Sequence, residues 1–256
     1  MITLDLEKIL AAAVFVGTRI AGLFTFSPFL GSAAIPMRVK AGLAVTLTYL
    51  LYPVCAPTIA VTSAEAWLGI VANELVIGLM IGLTVTFIFD AAQVAGQVIG
   101  LQVGFSLVNV MDPQTQVDTP VISTFYQLLI LLMFLQLNVH HWLLRAVANS
   151  FSYLPAGAPL PVGALTEAML HAAASIFLVG VQIAAPILFA TLIVDVALGF
   201  IGKASPQLPV LFLGLSVKAL LGFTIMIATL SLWPGRFERY FAGSIRAAEQ
   251  LLHLAR

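Results

Sequence analysis

Five charged side chains interrupt long apolar stretches and are the first candidates for chemistry: Arg19, Glu74, Asp90, Asp195 and Lys218. A charge at the centre of a bilayer costs about 2.5–3.5 kcal/mol, so each must be paired, reach the interface or face water. Asp90 and Asp195 lie near the ends of their stretches, which favours an interfacial position. Glu74 and Lys218 lie inside theirs, so we expect intramembrane polar contacts or ion pairs there. Only Glu74 approaches the mid-span position that a proton or ion relay requires.

Signatures of catalysis and of metal or cofactor binding are missing from the sequence. His140 and His141 are adjacent, so on a helix they point in different directions, unlike the i, i+4 pair of a zinc site. Gly104-Phe105-Ser106 lacks the second glycine of a nucleophile elbow, and no glycine-rich phosphate loop occurs. We therefore expect no enzyme activity, no catalytic residue, no metal and no cofactor. No basic arm points to nucleic acid.

A ladder of glycine and glutamine residues runs through the middle of the chain. Several members lie four residues apart, which places them on one helix face that another backbone can approach closely. Buried amides prefer a partner or water over lipid. The ladder predicts helix packing within the subunit, or else a subunit interface or a water-lined wall. Its members are Gly78, Gly82, Gln93, Gly96, Gln97, Gly100 and Gly104.

The segment Phe105–Pro120 is unusually polar for this chain. Amides and acids at five of its positions alternate with apolar side chains, and two prolines punctuate it. One interpretation is an exposed connection between helices. The other is an ordered loop that seals a lumen with its apolar side chains while its acids stay in water.

The composition indicates where such elements lie. Of 256 residues, 61% are hydrophobic and only 9% are charged, against about a quarter charged in typical soluble domains. The outer surface must therefore face lipid or apolar protein, which predicts an all-α polytopic membrane protein. A membrane helix uses about 20 apolar residues, so six or seven spans fit. The apolar blocks are Ile9–Leu30, Ala41–Val54, Trp67–Phe89, Ala91–Leu107, Val121–Leu144, Ala168–Val194 and Leu208–Leu232.

Two details of this division are open to test. The block Ala91–Leu107 is either a separate span or the end of one long helix, because no turn residue separates it from the block before. Thr119-Pro120 and Ser205-Pro206 each place a capping hydroxyl before a proline, so they predict helix starts.

Several segments, in the same order and over nearly the whole chain, resemble the FliR family. This family is the R subunit of the flagellar type III export gate, and its virulence-secretion counterparts form a sister group. In the family, the segment Pro-Gln-Leu is usually followed by Asn-Val. In this chain Pro209 stands where the family has asparagine, and Val210 follows it. We therefore expect an altered turn at the head of the last hairpin. The matching segments are Phe26–Arg38, Ala95–Gly104, Met111–Gln114, Leu135–His140 and Ala204–Lys218.

The resemblance implies a fold and a set of partners. The subunit would be one domain with a P-like helical portion (about 1–167), a Q-like hairpin (about 168–232, with Lys203 in its loop) and a polar tail (233–256). It would join P-type, Q-type and B-type export-gate subunits, touch membrane lipid, and pass unfolded flagellar proteins. Its place would be the bacterial inner membrane, multi-pass, within the flagellar basal body. Energy for transport would come from other components.

The resemblance also implies roles for single residues. Segment 105–120 becomes the candidate plug of the closed pore, and Lys218 contributes an interior polar contact. In the plug, Phe105, Leu107, Val110 and Met111 would narrow the lumen, while Asp112, Pro113 and Gln114 would fix the shape of the loop.

Two alternatives stay open at this point. The first is the equivalent gate subunit of a virulence type III secretion system, which would need the same apolar helices and the same plug. The second is a secondary transporter of small solutes, which would need inverted repeats with broken helices that meet at mid-membrane.

Overall fold

A computed structural model describes residues 2–32, 34–55, 67–105, 121–160, 162–207 and 209–254. The regular elements in these ranges are all helical, which confirms the all-α prediction. In chain order they are α1 (Ile2–Phe26), α2 (Met37–Cys55), α3 (Trp67–Val103), α4 (Val121–Gln136), α5 (Val139–Tyr153), α6 (Val162–Ala204), α7 (Val210–Thr229), a 3-10 turn (Leu230–Leu232) and α8 (Trp233–Leu254).

Two of these helices are much longer than a bilayer requires. α3 has 37 residues and α6 has 43, which at 1.5 Å per residue gives about 55 and 65 Å, against a hydrocarbon core of about 30 Å. α3 runs unbroken from Trp67 to Val103, so it joins the third apolar block to the fourth. This confirms the second of the two interpretations of Ala91–Leu107, in which this block is the end of one long helix. Asp90 accordingly lies inside a helix rather than at its end.

The number of spans is smaller than the sequence suggested. Among the described residues, four helical stretches are long and apolar enough to cross a membrane, or five if α4 and α5 form one bent span. Six or seven spans would fit the length of the chain, but two blocks merge in α3 and α2 is not among the candidates. The four stretches are Ile9–Phe26, Trp67–Val103, Val162–Ala204 and Phe212–Gln250.

Two local breaks differ from the sequence-based expectation. The block Val121–Leu144 is not one helix, because Asn138 adopts a left-handed conformation (φ 55°, ψ 31°) between α4 and α5. Asparagine is one of the few non-glycine residues that visit this region readily.

The start of α7 also differs from the prediction at Ser205-Pro206. The helix begins at Val210, after Pro209. A helix capped by Ser205 would need its first backbone hydrogen bond from the residue at 209, and proline has no N–H to donate. Lys203 consequently lies in the last turn of α6, not in the loop of the hairpin. Thr119 and Pro120 lie outside the described residues.

The chain divides into two compact units. The first comprises Met1–Ile88, Phe134–Ala173 and Arg239–Arg256, and the second comprises Phe89–Met133 and Ala174–Glu238. The division into a P-like portion, a Q-like hairpin and a tail remains a prediction.

In the first unit, α1 and α3 run parallel and approach closely through glycines. A methyl group on Gly22 would lie 2.5 Å from the Leu75 carbonyl oxygen, and one on Gly78 would overlap the Arg19 carbonyl oxygen. Gly82 faces the Leu23 carbonyl oxygen in the same way. Small residues at such spacing let two backbones touch, and the gain is van der Waals contact along both helices.

A buried ion pair lies within this contact. The Arg19 guanidinium is fully buried, and its Nε donates to Glu74 Oε2 at 2.6 Å. Its Nη1 donates to Ser150 Oγ at 2.8 Å and its Nη2 to the Leu154 carbonyl oxygen at 3.1 Å. The Phe151 ring covers it, with Cζ 3.7 Å from the ring centroid. One cation thus joins α1, α3 and the end of α5.

The same pair fixes the turn that follows α5. The backbone N–H of Gly157 donates to the Glu74 carboxylate, and Gly157 has φ +88°, a conformation that favours glycine. Both members of the ion pair therefore hold backbone groups of this turn, Arg19 through the Leu154 carbonyl and Glu74 through the Gly157 amide.

Replacing Gly78 by alanine should destabilise the first unit. The new methyl group would force α1 away from α3, since the atom that it meets belongs to the α1 backbone. Gly69 in the same helix has no atom within 4 Å of such a methyl group, so G69A is the matched control. Alanine stabilises the middle of a helix by about 0.5–1 kcal/mol relative to glycine, so the stability of G69A should equal or exceed that of the wild type. Thermal unfolding in mild detergent should therefore show a lower midpoint for G78A alone. Equal midpoints for the two variants would contradict this account of the packing.

Removing one partner of the buried pair should cost more than removing both. Arg19→Met leaves the Glu74 carboxylate buried without its cation, a loss of about 3–5 kcal/mol in comparable sites. The double variant Arg19→Met/Glu74→Leu removes both charges and should recover much of that loss. Arg236→Ala changes an exposed arginine and serves as control. The measurement is the free energy of unfolding in mixed micelles. A double variant as unstable as the sum of its single variants would refute the pairing.

Candidate functional site

In the second unit, α6 and α7 form an antiparallel hairpin. Gly202 faces Val210 and Gly214 faces Leu198, whereas Gly222 lies nearest to Val103 of α3 and next to Ile187 of α6. Along each arm, residues equally far from the turn therefore lie opposite one another, and the glycines let the two arms approach closely.

This register brings Asp195 of α6 opposite Lys218 of α7. Lys218 Nζ pairs with Asp195 Oδ1, and Gln102 Nε2 of α3 donates to Asp195 Oδ2 at 3.2 Å. The two oxygens of one carboxylate thus engage two different helices. The Asp195 side chain is 41% exposed and that of Lys218 is 19% exposed, so the described helices do not enclose this pair.

The end of α3 lies directly beside this junction and is closed by a Schellman motif. The amide of Phe105 donates to the Gly100 carbonyl at 2.9 Å, and that of Gly104 donates to the Leu101 carbonyl at 3.2 Å. Gly104 has φ +96°, the left-handed conformation that this motif places after a helix. Any side chain at 104 would also overlap that of Leu215.

Phe105, the first residue of the predicted plug, packs on the hairpin. Its ring meets that of Phe223 edge to face, with the centroids 5.8 Å apart and the planes at 88°. This is a favourable geometry for two aromatic rings. Phe105 is 38% exposed, so the ring is anchored along one side only.

A cavity of about 530 Å³ opens between the end of α3 and the hairpin. Gln102, Asp195 and Lys218 supply its polar lining, and Gly199, Gly202 and Gly214 widen it by having no side chains. The cavity accounts for the exposure of the ion pair.

The glycines and glutamines of the predicted ladder are divided between the two units. Gly78 and Gly82 face α1 in the first unit. In the second unit, a methyl group on Gly96 would lie 2.5 Å from Ser123 Cα, and one on Gly100 would be in ordinary contact with Ile122. Gly104 faces the hairpin.

The two amides of the ladder have different surroundings. The backbone carbonyl of Gln93 accepts a hydrogen bond from Ser123 Oγ at 3.3 Å, and its side chain is half-buried. The side chain of Gln97 is exposed.

The remaining predicted residues fall in two groups. Glu74 belongs to the first unit and pairs with Arg19, whereas Lys218 belongs to the second and pairs with Asp195. Of the predicted plug, the structure describes Phe105 only, and the others lie outside the described residues: Leu107, Val110, Met111, Asp112, Pro113 and Gln114. Within the described ranges, no group of three or more His, Cys, Asp or Glu side chains is arranged to hold a metal ion.

The sequence pattern placed Asp195 at the membrane–water interface and did not predict its role in joining helices. The correction is that Asp195 lies inside α6 and shares its carboxylate between α3 and α7. A signal was available in the sequence, since Asp195 and Lys218 lie almost equally far on either side of the turn near Pro206. Gln102 was not predicted as a partner for an acid.

Comparisons with known proteins extend over almost the entire chain. The flagellar biosynthetic protein FliR of Escherichia coli K12 is 34% identical over 227 residues, which cover 88% of this chain and 86% of that protein. The protein of the same name from Bacillus subtilis 168 is 30% identical over 246 residues, 95% of each chain. That of Caulobacter vibrioides is 27% identical over 234 residues, 89% of this chain and 92% of the relative.

Residues 10–244 match the family described as bacterial export proteins, family 1. The matched range includes α1 from Leu10 onward, α2 to α7 in full, the two ion pairs described above, the Schellman motif and about the first half of α8. With this match and these relatives, the chain belongs to family 1 of the bacterial export proteins.

Proposed function

We infer that this protein is a subunit of the flagellar protein export gate, and that its role is structural rather than catalytic. The observation that carries this inference is the similarity to flagellar biosynthetic proteins from Escherichia coli and Bacillus subtilis over nearly the full length of each chain. The chain is a multi-pass membrane protein by its helices, and we place it in the bacterial inner membrane within the flagellar basal body.

We propose that the subunit works in a hetero-oligomer with P-type, Q-type and B-type subunits. Its hairpin supports this, because large apolar side chains cover outward faces of α6 and α7. Phe189 is 68% exposed, Phe212 70% and Leu220 73%. Neighbouring apolar helices or lipid must cover such faces. The lengths of α3 and α6 favour protein neighbours, since both helices exceed the bilayer core.

We propose further that segment 105–120 is the plug of the closed pore. The support comes from its first residue, because the Schellman motif and the Phe223 contact fix the direction in which the chain leaves α3. Apolar side chains at Phe105, Leu107, Val110 and Met111 would then narrow the path, while unfolded flagellar proteins pass when the plug is displaced.

The export function is tested by deleting the gene in the bacterium that encodes it. We expect loss of flagellar proteins from the culture medium and loss of swimming, both restored by the wild-type gene. Pull-down of the tagged protein in mild detergent should recover the P-type and Q-type subunits. Normal flagellar export together with loss of secreted virulence proteins would instead assign the subunit to a virulence system.

The plug is tested by replacing residues 108–117 with a glycine–serine segment of the same length. We expect higher ion conductance through the gate assembled with its partners and reconstituted in planar bilayers, because the apolar side chains that exclude water are removed. Assembly is checked by the amount of co-purified partner subunits.

Two phenylalanines of similar exposure provide a matched pair for this test. Phe105 is 38% exposed and Phe125 is 40% exposed, both in the second unit. Phe105→Ala should raise the conductance, whereas Phe125→Ala should leave it near the wild-type level. Conductance that stays at the wild-type value in the loop replacement would rule out the plug.

A further inference from the structure

We propose that Asp195 is a positioning residue for the closed state of the gate. Its carboxylate ties the end of α3 to both arms of the hairpin, and so holds Phe105 against Phe223. The proposal rests on the proposed function of Phe105 at the constriction, and the experiment below separates the failure of one from the failure of the other.

The carboxylate of Asp195 connects three helices. Asp195 projects from α6, its Oδ1 pairs with Lys218 of α7, and its Oδ2 accepts from Gln102 of α3. Without the carboxylate, Gln102 has no acceptor in this position and Lys218 has no counter-charge there. The end of α3 would then be held on the hairpin by its remaining contacts, which include Phe105 with Phe223 and Gly104 with Leu215.

Gln102 is rigidly connected to Phe105. Only two residues lie between them, and the Schellman motif at Gly100–Phe105 fixes the backbone there. Gly104 adds a steric constraint, because it lies against Leu215 of the hairpin. A shift of Gln102 away from Asp195 is therefore transmitted to the Phe105 ring rather than absorbed by a flexible linker.

Two ion pairs among the described residues differ in exposure. The side chains of Arg19 and Glu74 are 0% and 1% exposed, whereas those of Lys218 and Asp195 are 19% and 41% exposed. The cavity beside Asp195 and Lys218 leaves room for water or for polar groups of a neighbour when they separate, so breaking this pair strands its charges less than breaking the Arg19–Glu74 pair would. The enclosed pair suits permanent structure, and the exposed pair suits a junction that opens and closes.

Substitution of Asp195 in the assembled gate tests the proposal. Asp195→Asn removes the counter-charge for Lys218 and should raise the closed-state conductance several-fold in planar bilayers. Asp90→Asn is the matched control, because Asp90 is another acid of the second unit and precedes Gln102 by about 18 Å along α3. It should conduct like the wild type.

A charge swap separates the electrostatic role from a merely structural one. In Asp195→Lys/Lys218→Asp the pair is kept with its charges exchanged, and the Gln102 amide can rotate so that its oxygen accepts from the new lysine. We expect this double variant to restore low conductance. Lys218→Asp alone places two carboxylates opposite each other and should leak at least as much as Asp195→Asn.

The position of α3 is measured independently of conductance. Spin labels at Leu101 and Phe212, both exposed, report the distance between the end of α3 and α7 in a Cys55→Ala background. Asp195→Asn should broaden this distance distribution, and the charge swap should narrow it again. If Asp195→Asn fails to assemble, Gln102→Ala removes one bond and leaves the ion pair, and should give a smaller change in the same direction.

The outcomes are distinguishable. One outcome is that the 108–117 replacement raises the conductance, whereas Asp195→Asn keeps the wild-type conductance and an unchanged distance. This result would overturn the positioning role of Asp195 and would still support the proposed plug. Wild-type conductance in both variants would overturn both. Increased conductance in Asp90→Asn equal to that in Asp195→Asn would show a general effect of charge and also overturn the proposal.

Discussion

A charged side chain that lies among apolar helices must meet an opposite charge or reach water, and this requirement governs how the described helices are joined. Only 9% of the residues are charged, so few groups are available as partners. Arg19 and Glu74 satisfy the requirement by mutual contact in a sealed site. Asp195 and Lys218 satisfy it by contact beside a cavity. The first pair connects α1 with α3, and the second connects α6 with α7.

Close approach of the backbones makes these pairs possible. Gly78 lies one helical turn after Glu74, and the Arg19 carbonyl oxygen lies directly over it. The arginine side chain therefore needs no long reach to meet the carboxylate. Gly202 and Gly214 leave room between α6 and α7, where each meets a side chain of the opposite arm. Glycine inside a helix is intrinsically unfavourable by roughly 0.5–1 kcal/mol, and the contacts and ion pairs gained across the interface offset this.

The two pairs differ in how far the chain encloses them, and that difference matches the two demands on an export gate. A gate subunit needs a framework that persists while the pore changes, and the Arg19 site supplies one by fixing α1, α3 and the turn after α5. It also needs a junction whose charges are not sealed in when it separates. The Asp195 junction has that property because it adjoins a cavity, and its Gln102 lies one helical turn before the first residue of the proposed plug.

The sequence by itself determined the helical class, the membrane environment and the apolar blocks, because these follow from composition and from patterns of neighbouring residues. It also identified Glu74 and Lys218 as charges that need partners, and the segments that carry the family resemblance. Only the tertiary structure decided that Arg19 meets Glu74, 55 residues away, and that Gln102 meets Asp195, 93 residues away. Such partners depend on the register between helices, which is set by the fit of glycines against facing backbones. The continuity of α3 and the break at Asn138 were likewise decided by packing, since the local sequence permits either a helix or a turn at both places.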